Sequence, residues 1–107
     1  MITFDDFQKV DLRTARVVQA SAHPNADRLL LLQIDLGEMG ERQIVAGIRE
    51  HYEPESLIGK TIVVVVNLEP AMLRGEESQG MLLAVRGEEG VRVLTPDGEV
   101  AAGLQVS

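Results

Sequence analysis

The chain has no cysteine and no tryptophan. Without cysteine there is no disulfide framework, no thiol nucleophile and no thiolate zinc site, which fits a reducing compartment. Its two histidines, His23 and His51, lie far apart with no cysteine partners, so no metal site is expected. Long apolar runs are missing as well, and nothing approaches the length of a bilayer span. The first ten residues, MITFDDFQKV, have neither a basic nor an apolar targeting segment. The expectation is a soluble cytoplasmic protein with no membrane contact. Basic charge is scarce too: ten Lys and Arg against seventeen Asp and Glu give a net charge of −7. That balance weighs against nucleic acid, because neutralising phosphates supplies most of a nucleic-acid module's affinity. It does not decide the matter, since the field at a site counts for more than the total. Most of the basic residues are arginine, which suits bidentate phosphate contacts.

What is present is an ordinary globular composition of 107 residues, 45% hydrophobic and 25% charged, enough for one domain with its own core. The stretch Thr61 to Val85 organises the rest. Ile62 to Val66 is an unbroken apolar, β-branched run, the mark of a strand inside a sheet. A polar loop, Glu69 to Gly80, separates it from a second apolar strand beginning at Met81. A decorated loop between two rigid strands is a common way to display a binding surface.

Taken in order, Phe4 to Phe7 reads as a short helix capped by Thr3, with Phe4 and Phe7 packing onto the domain. Strands follow at Leu12 to Ala20, Leu29 to Leu36 and Arg42 to Ile48. The loop Ser21 to Arg28 and the turn Gly37 to Gly40 connect them. Residues His51 to Gly59 hold a short helix with Pro54 in its first turn and Gly59 as its stop. A fourth strand, Thr61 to Leu68, and a fifth, Met81 to Arg86, flank the polar loop. A turn at Gly87 to Gly90 then leads to Val91 to Leu94 and a tail. Three strands, a helix and two strands give an all-β class and the order of an OB-fold. This is a five-stranded Greek-key barrel with its helix between strands three and four, here with an N-terminal helix and a C-terminal extension. Ligands of such barrels lie on strands two and three, between the loops joining strands one to two and four to five. Those are the two longest polar loops here.

Little on that rim points to catalysis. Ser78 lacks a Gly-x-Ser-x-Gly frame, and the acidic pairs Asp5-Asp6, Glu76-Glu77 and Glu88-Glu89 fall in a helix start and in turns. No Gly-rich phosphate loop runs from a strand into a helix, and neither a cofactor nor a small-molecule substrate is indicated. The three aromatic residues, Phe4, Phe7 and Tyr52, miss the expected binding strands, which disfavours stacking of single-stranded bases. Recognition by hydrogen bonds, arginine–phosphate contacts and shape remains, and it suits a folded RNA. Arg28, Arg42 and Arg74 are the candidate phosphate contacts, Asn67 and Ser78 the candidates for base edges or ribose, and Met81 a flexible apolar contact. Set against this are solvated arginines, an Asn67 that ends a strand, a Ser78 that closes a turn and a Met81 in the core.

Three runs carry a family resemblance: HPNADRLLLLQIDLG at 23 to 37, RQIVAGI at 42 to 48 and VVNLEPAMLRGEESQGMLLA at 65 to 84. They resemble the tRNA-binding domain family, and the likeness covers essentially the whole chain. That family includes stand-alone structure-specific tRNA-binding proteins and the C-terminal domain of methionyl-tRNA synthetase. The resemblance is most specific at Asn67 and at Ser78-Gln79-Gly80-Met81. It implies an OB-fold that binds the outer corner of the tRNA without catalysis. It implies tRNA-binding roles for Arg28 (where Lys is commoner), Arg42, Asn67, Arg74, Ser78, Gln79 and Met81. It further implies a homodimer built through the N-terminal helix and the segment from about Val91 to Val106, and a possible aminoacyl-tRNA synthetase partner. Glu76 and Glu77 inside the loop imply modest, salt-sensitive binding. A second branch of similar proteins, export-related and chaperone-like, implies a dimer that binds polypeptide instead.

Overall fold

The computed structural model describes all residues from Met1 to Ser107. The elements are α1 (Phe4–Gln8), β1 (Leu12–Ala22), β2 (Leu30–Asp35), β3 (Glu41–Ala46), α2 (Pro54–Leu57), β4 (Thr61–Val65), β5 (Ala71–Leu73), β6 (Glu76–Ser78), β7 (Met81–Leu82), β8 (Ala84–Gly87), β9 (Gly90–Val93) and β10 (Gln105–Val106). The main sheet runs in the order β3-β2-β1-β4-β7, all antiparallel, with β10 added to β1. It curls into a nearly closed five-stranded barrel, the OB-fold that the element order predicts.

β1 makes the curl possible. Residues Leu12 to Arg16 pair with β4, and Arg16 to Ala22 pair with β2, with a register shift between Val17 and Gln19. A bulge of this kind bends a strand and increases its twist, so one strand serves two walls of the barrel. Alternation then fills the interior: Leu30, Leu32 and Ile34 of β2 are fully buried, as are Ile62 and Val64 of β4. Val65 and Val66 are buried too and Val63 is half-buried, as expected of a strand with neighbours on both sides. Leu57 of α2 plugs the core behind β1, held there by Gly59 N–H donating to Val17 O at 2.8 Å.

Three expectations need correction. Residues 69 to 80 are not a simple loop, because β5 and β6 form a small hairpin within them. The fifth strand is interrupted: β7 stays on the barrel, while β8 leaves to pair with β9 in a separate hairpin. The phenylalanines of α1 do not pack on the barrel. Phe4 is 70% and Phe7 37% exposed, and no residue of that helix is buried. A capping box between Thr3 and Asp6 and two bonds from Asn67 hold it instead. The C-terminal tail is fastened to β1. Thr14 Oγ1 donates to Ala101 O at 2.8 Å and accepts Leu104 N–H, and Gly103 N–H donates to Thr14 O. Gly103, at φ +82, lies so close to Leu36 that any side chain would collide with its carbonyl.

Candidate nucleic-acid interface

The β5–β6 hairpin is tied by a two-residue turn, Arg74-Gly75, between the paired residues Leu73 and Glu76. Both turn residues have positive φ, +54 at Arg74 and +93 at Gly75, as a type I′ turn requires. Arg74 is the only non-glycine residue of the chain in that region, and the strained backbone fixes where its side chain leaves the hairpin. The guanidinium reaches across to the loop between β1 and β2, with Nη2 donating to Asn25 O at 3.4 Å. Arg28 stands on that same loop, and the two arginines border one open depression of about 270 Å³ lined also by Ala26, Asp27 and Leu29. Arg28 is 83% exposed at its side chain, and its ion pair with Glu50 at 3.1 Å is open to water, so it competes weakly with an incoming phosphate. Arg49, which sequence reasoning passed over, supports the loop from below, with Nη1 donating to Ala26 O at 3.0 Å.

The other predicted residues do structural work on the same rim. Ser78 is only 5% exposed; its Oγ accepts Val45 N–H and donates to Gly80 O, both at 2.9 Å. Gln79 N–H donates to Gln43 O at 2.8 Å, and its Oε1 accepts Gln43 N–H at 3.3 Å. Together they replace missing ladder bonds along the free edge of β3 and close the barrel there. Gln43, also unforeseen, adds Nε2 bonds to Glu77 O and Glu76 Oε1. Arg42 is half-buried and donates from Nη1 to Val66 O at 2.7 Å and to Gln79 O at 3.5 Å. Asn67 is committed at both ends of its amide: Oδ1 accepts Asp11 N–H at 2.9 Å and Nδ2 donates to Lys9 O at 2.7 Å. Met81 is 48% exposed and, with Leu68, Ala71 and Leu73, lines a second, more apolar depression of about 180 Å³. Leu73 borders this one while its neighbour Arg74 borders the other, so the hairpin separates a charged, arginine-bearing patch from an apolar one.

Arg28, Arg74 and Met81 thus face solvent, Arg42, Ser78 and Gln79 frame the barrel edge, and Asn67 ties down the N-terminal segment. Residues 12–105 match the family described as "Putative tRNA binding domain". The chain belongs to the tRNA-binding domain family. Over 106 residues it is 60% identical to the methionine–tRNA ligase of Thermotoga maritima. That match takes in 99% of this chain and 17% of the ligase, so the chain corresponds to a small part of that enzyme's length. Among solved structures, a MetRS-related protein from Pyrococcus horikoshii superposes with a TM-score of 0.92 at 36% identity, covering 100% of this chain and 98% of that one. The chaperone CsaA from Bacillus anthracis superposes with a TM-score of 0.89 at 38% identity, covering 100% and 99%. The domain is therefore related both to methionine–tRNA ligases and to CsaA chaperones. None of its helices is long and apolar enough to cross a membrane.

Proposed function

We propose that the domain is a non-catalytic, structure-specific tRNA-binding module that grips the outer corner of the tRNA. It acts either free-standing or as the C-terminal domain or subunit of a methionyl-tRNA synthetase. The observation that carries this reading is the convergence of Arg28 and Arg74, 46 positions apart in the sequence, on one solvent-open depression of the OB-fold rim. Two guanidinium groups bordering one depression suit backbone phosphates, and the absence of aromatic platforms there fits recognition of a folded backbone over stacked bases. Met81 supplies an apolar contact beside them. Frame residues Arg42, Ser78 and Gln79 act on binding by holding the rim, and Asn67 by tethering the N-terminal segment. Exposed Phe4, Phe7 and Leu104 support a homodimer through the N-terminal helix and the C-terminal segment. Two linked sites would raise apparent affinity without new contacts.

The test is a titration of total tRNA at two salt concentrations beside a single-stranded oligonucleotide. Preferential binding of tRNA that weakens steeply with salt is expected. Replacing Arg28 and Arg74 together by Ala flattens the salt dependence by about one phosphate contact each. No tRNA complex even at low salt overturns the reading. A second reading, a chaperone-like dimer that binds polypeptide, is favoured by the apolar depression at Leu68, Leu73 and Met81 and by the likeness to CsaA. It predicts salt-insensitive capture of an unfolded polypeptide, lost on Met81→Glu.

A further inference from the structure

His23 is 2% exposed, and both of its ring nitrogens are bonded. Asn25 N–H donates to Nδ1 at 2.9 Å, so Nδ1 is the acceptor and the ring proton sits on Nε2. Nε2 lies 2.9 Å from the carbonyl oxygen of Leu73, fifty residues further on, and therefore donates to it. One imidazole thus turns the β1–β2 loop and reaches across to the β5–β6 hairpin. The residue it bonds directly precedes Arg74, and the residue it turns offers its own carbonyl to Arg74. His23, Asn25, Leu73 and Arg74 form a closed circuit that joins the hairpin to the loop carrying Arg28.

We infer that His23 is a positioning residue for tRNA binding: its Nε2–H clamps the hairpin to the loop and so sets the separation of Arg28 and Arg74. The inference rests on the tRNA-binding reading and deepens it. Cations on two independently moving loops lose affinity to ordering at the moment of binding, and a buried cross-link between the loops removes part of that cost beforehand. With its imidazole buried, this bond is better shielded from water than the exposed Arg74–Asn25 contact, and it keeps more of its strength.

Two substitutions separate the cross-link from the local turn. In His23→Asn the amide oxygen takes the place of Nδ1 and still accepts Asn25 N–H, but nothing reaches Leu73. In His23→Gln the amide nitrogen takes the place of Nε2 and donates to Leu73 O. Affinity for total tRNA is expected to fall about tenfold in His23→Asn, the scale of one buried hydrogen bond. It falls only about twofold in His23→Gln, because the inter-loop donor is restored. Against an Arg74→Ala background the effect of His23→Asn should largely vanish, since there is no longer a cation to place. A purely structural histidine gives equal losses in the two variants, tracking thermal stability, and additive losses with Arg74→Ala; either result overturns the inference. Should His23→Asn not fold, His23→Gln with and without Arg74→Ala carries the same test: a loss of tRNA affinity that vanishes in the Arg74→Ala background supports the inference, and an additive loss overturns it. Failure of the tRNA reading itself has a different signature: Arg28→Ala and Arg74→Ala then leave tRNA affinity unchanged.

Discussion

At the scale of single residues, the rim shows why polar side chains close in sequence act differently. Ser78 and Arg74 sit four positions apart, one buried with both hydrogen-bonding capacities used and the other held outward by a strained turn. Ser78→Ala leaves Val45 N–H and Gly80 O without partners at a dry site. It should destabilise the fold by about 1–3 kcal/mol, read as a lower midpoint in thermal unfolding. Arg74→Asn has the opposite balance. Asn tolerates the left-handed region better than Arg does, so the hairpin gains up to about 1 kcal/mol while losing its cation. The expected outcome is an unchanged or higher unfolding midpoint together with weaker tRNA binding. A variant that loses both would show that Arg74 is needed for the hairpin itself.

At the scale of elements, α1 is five residues long, too short to persist by its own hydrogen bonds. Asn67 supplies the tether, joining the end of β4 to the backbone at Lys9 and Asp11. Asn67→Ala should therefore free the N-terminal segment and leave the barrel standing. Hydrogen exchange checks this: the amide of Asp11 should lose its protection while those of β1 and β4 keep theirs. The tail is the second such element. Gly103→Ala forces a side chain toward Leu36 O at a positive φ and should detach β10 from β1, lowering the unfolding midpoint. The element order, the capped first helix and the proline-started second helix were all legible in the sequence. The β5–β6 hairpin was not, because its strands are three residues each and Glu76 to Ser78 carry no apolar alternation. The departure of β8 from the barrel was hidden as well, since Met81 to Val85 reads as one continuous apolar strand and only the pairing of β8 with β9 interrupts it.

At the scale of the whole molecule, three arginines of an acidic chain meet at one place. Arg28, Arg49 and Arg74 lie on or against the β1–β2 loop beside Asp27 and Glu50, although the net charge is −7. Long-range repulsion and short-range attraction then act together on a polyanion, and salt screens both. The proposed homodimer is a separate matter of apolar surface. Ile2, Phe4, Phe7 and Leu104 are exposed, and α1 buries nothing in one copy of the chain. Sedimentation should show a dimer of the 107-residue chain. Phe4→Ser with Phe7→Ser should shift it toward monomer and weaken tRNA binding through lost linkage of two sites. A dimer that survives both changes would place the interface elsewhere.

The sequence by itself determined the barrel and the family, because strand alternation, the helix position and the HPNAD and SQGM elements are local patterns that survive without knowledge of neighbours. It also located the rim, because polar loops of that length have only one place to go on an OB-fold. Which of the rim's polar groups face solvent was decided by tertiary structure alone. Ser78, Gln79, Arg42 and Asn67 are committed by partners 24 to 58 residues away, and His23 is buried by a hairpin fifty residues downstream. Whether a hydrogen-bonding side chain is free or already engaged depends on what the fold brings against it, and no local pattern records that.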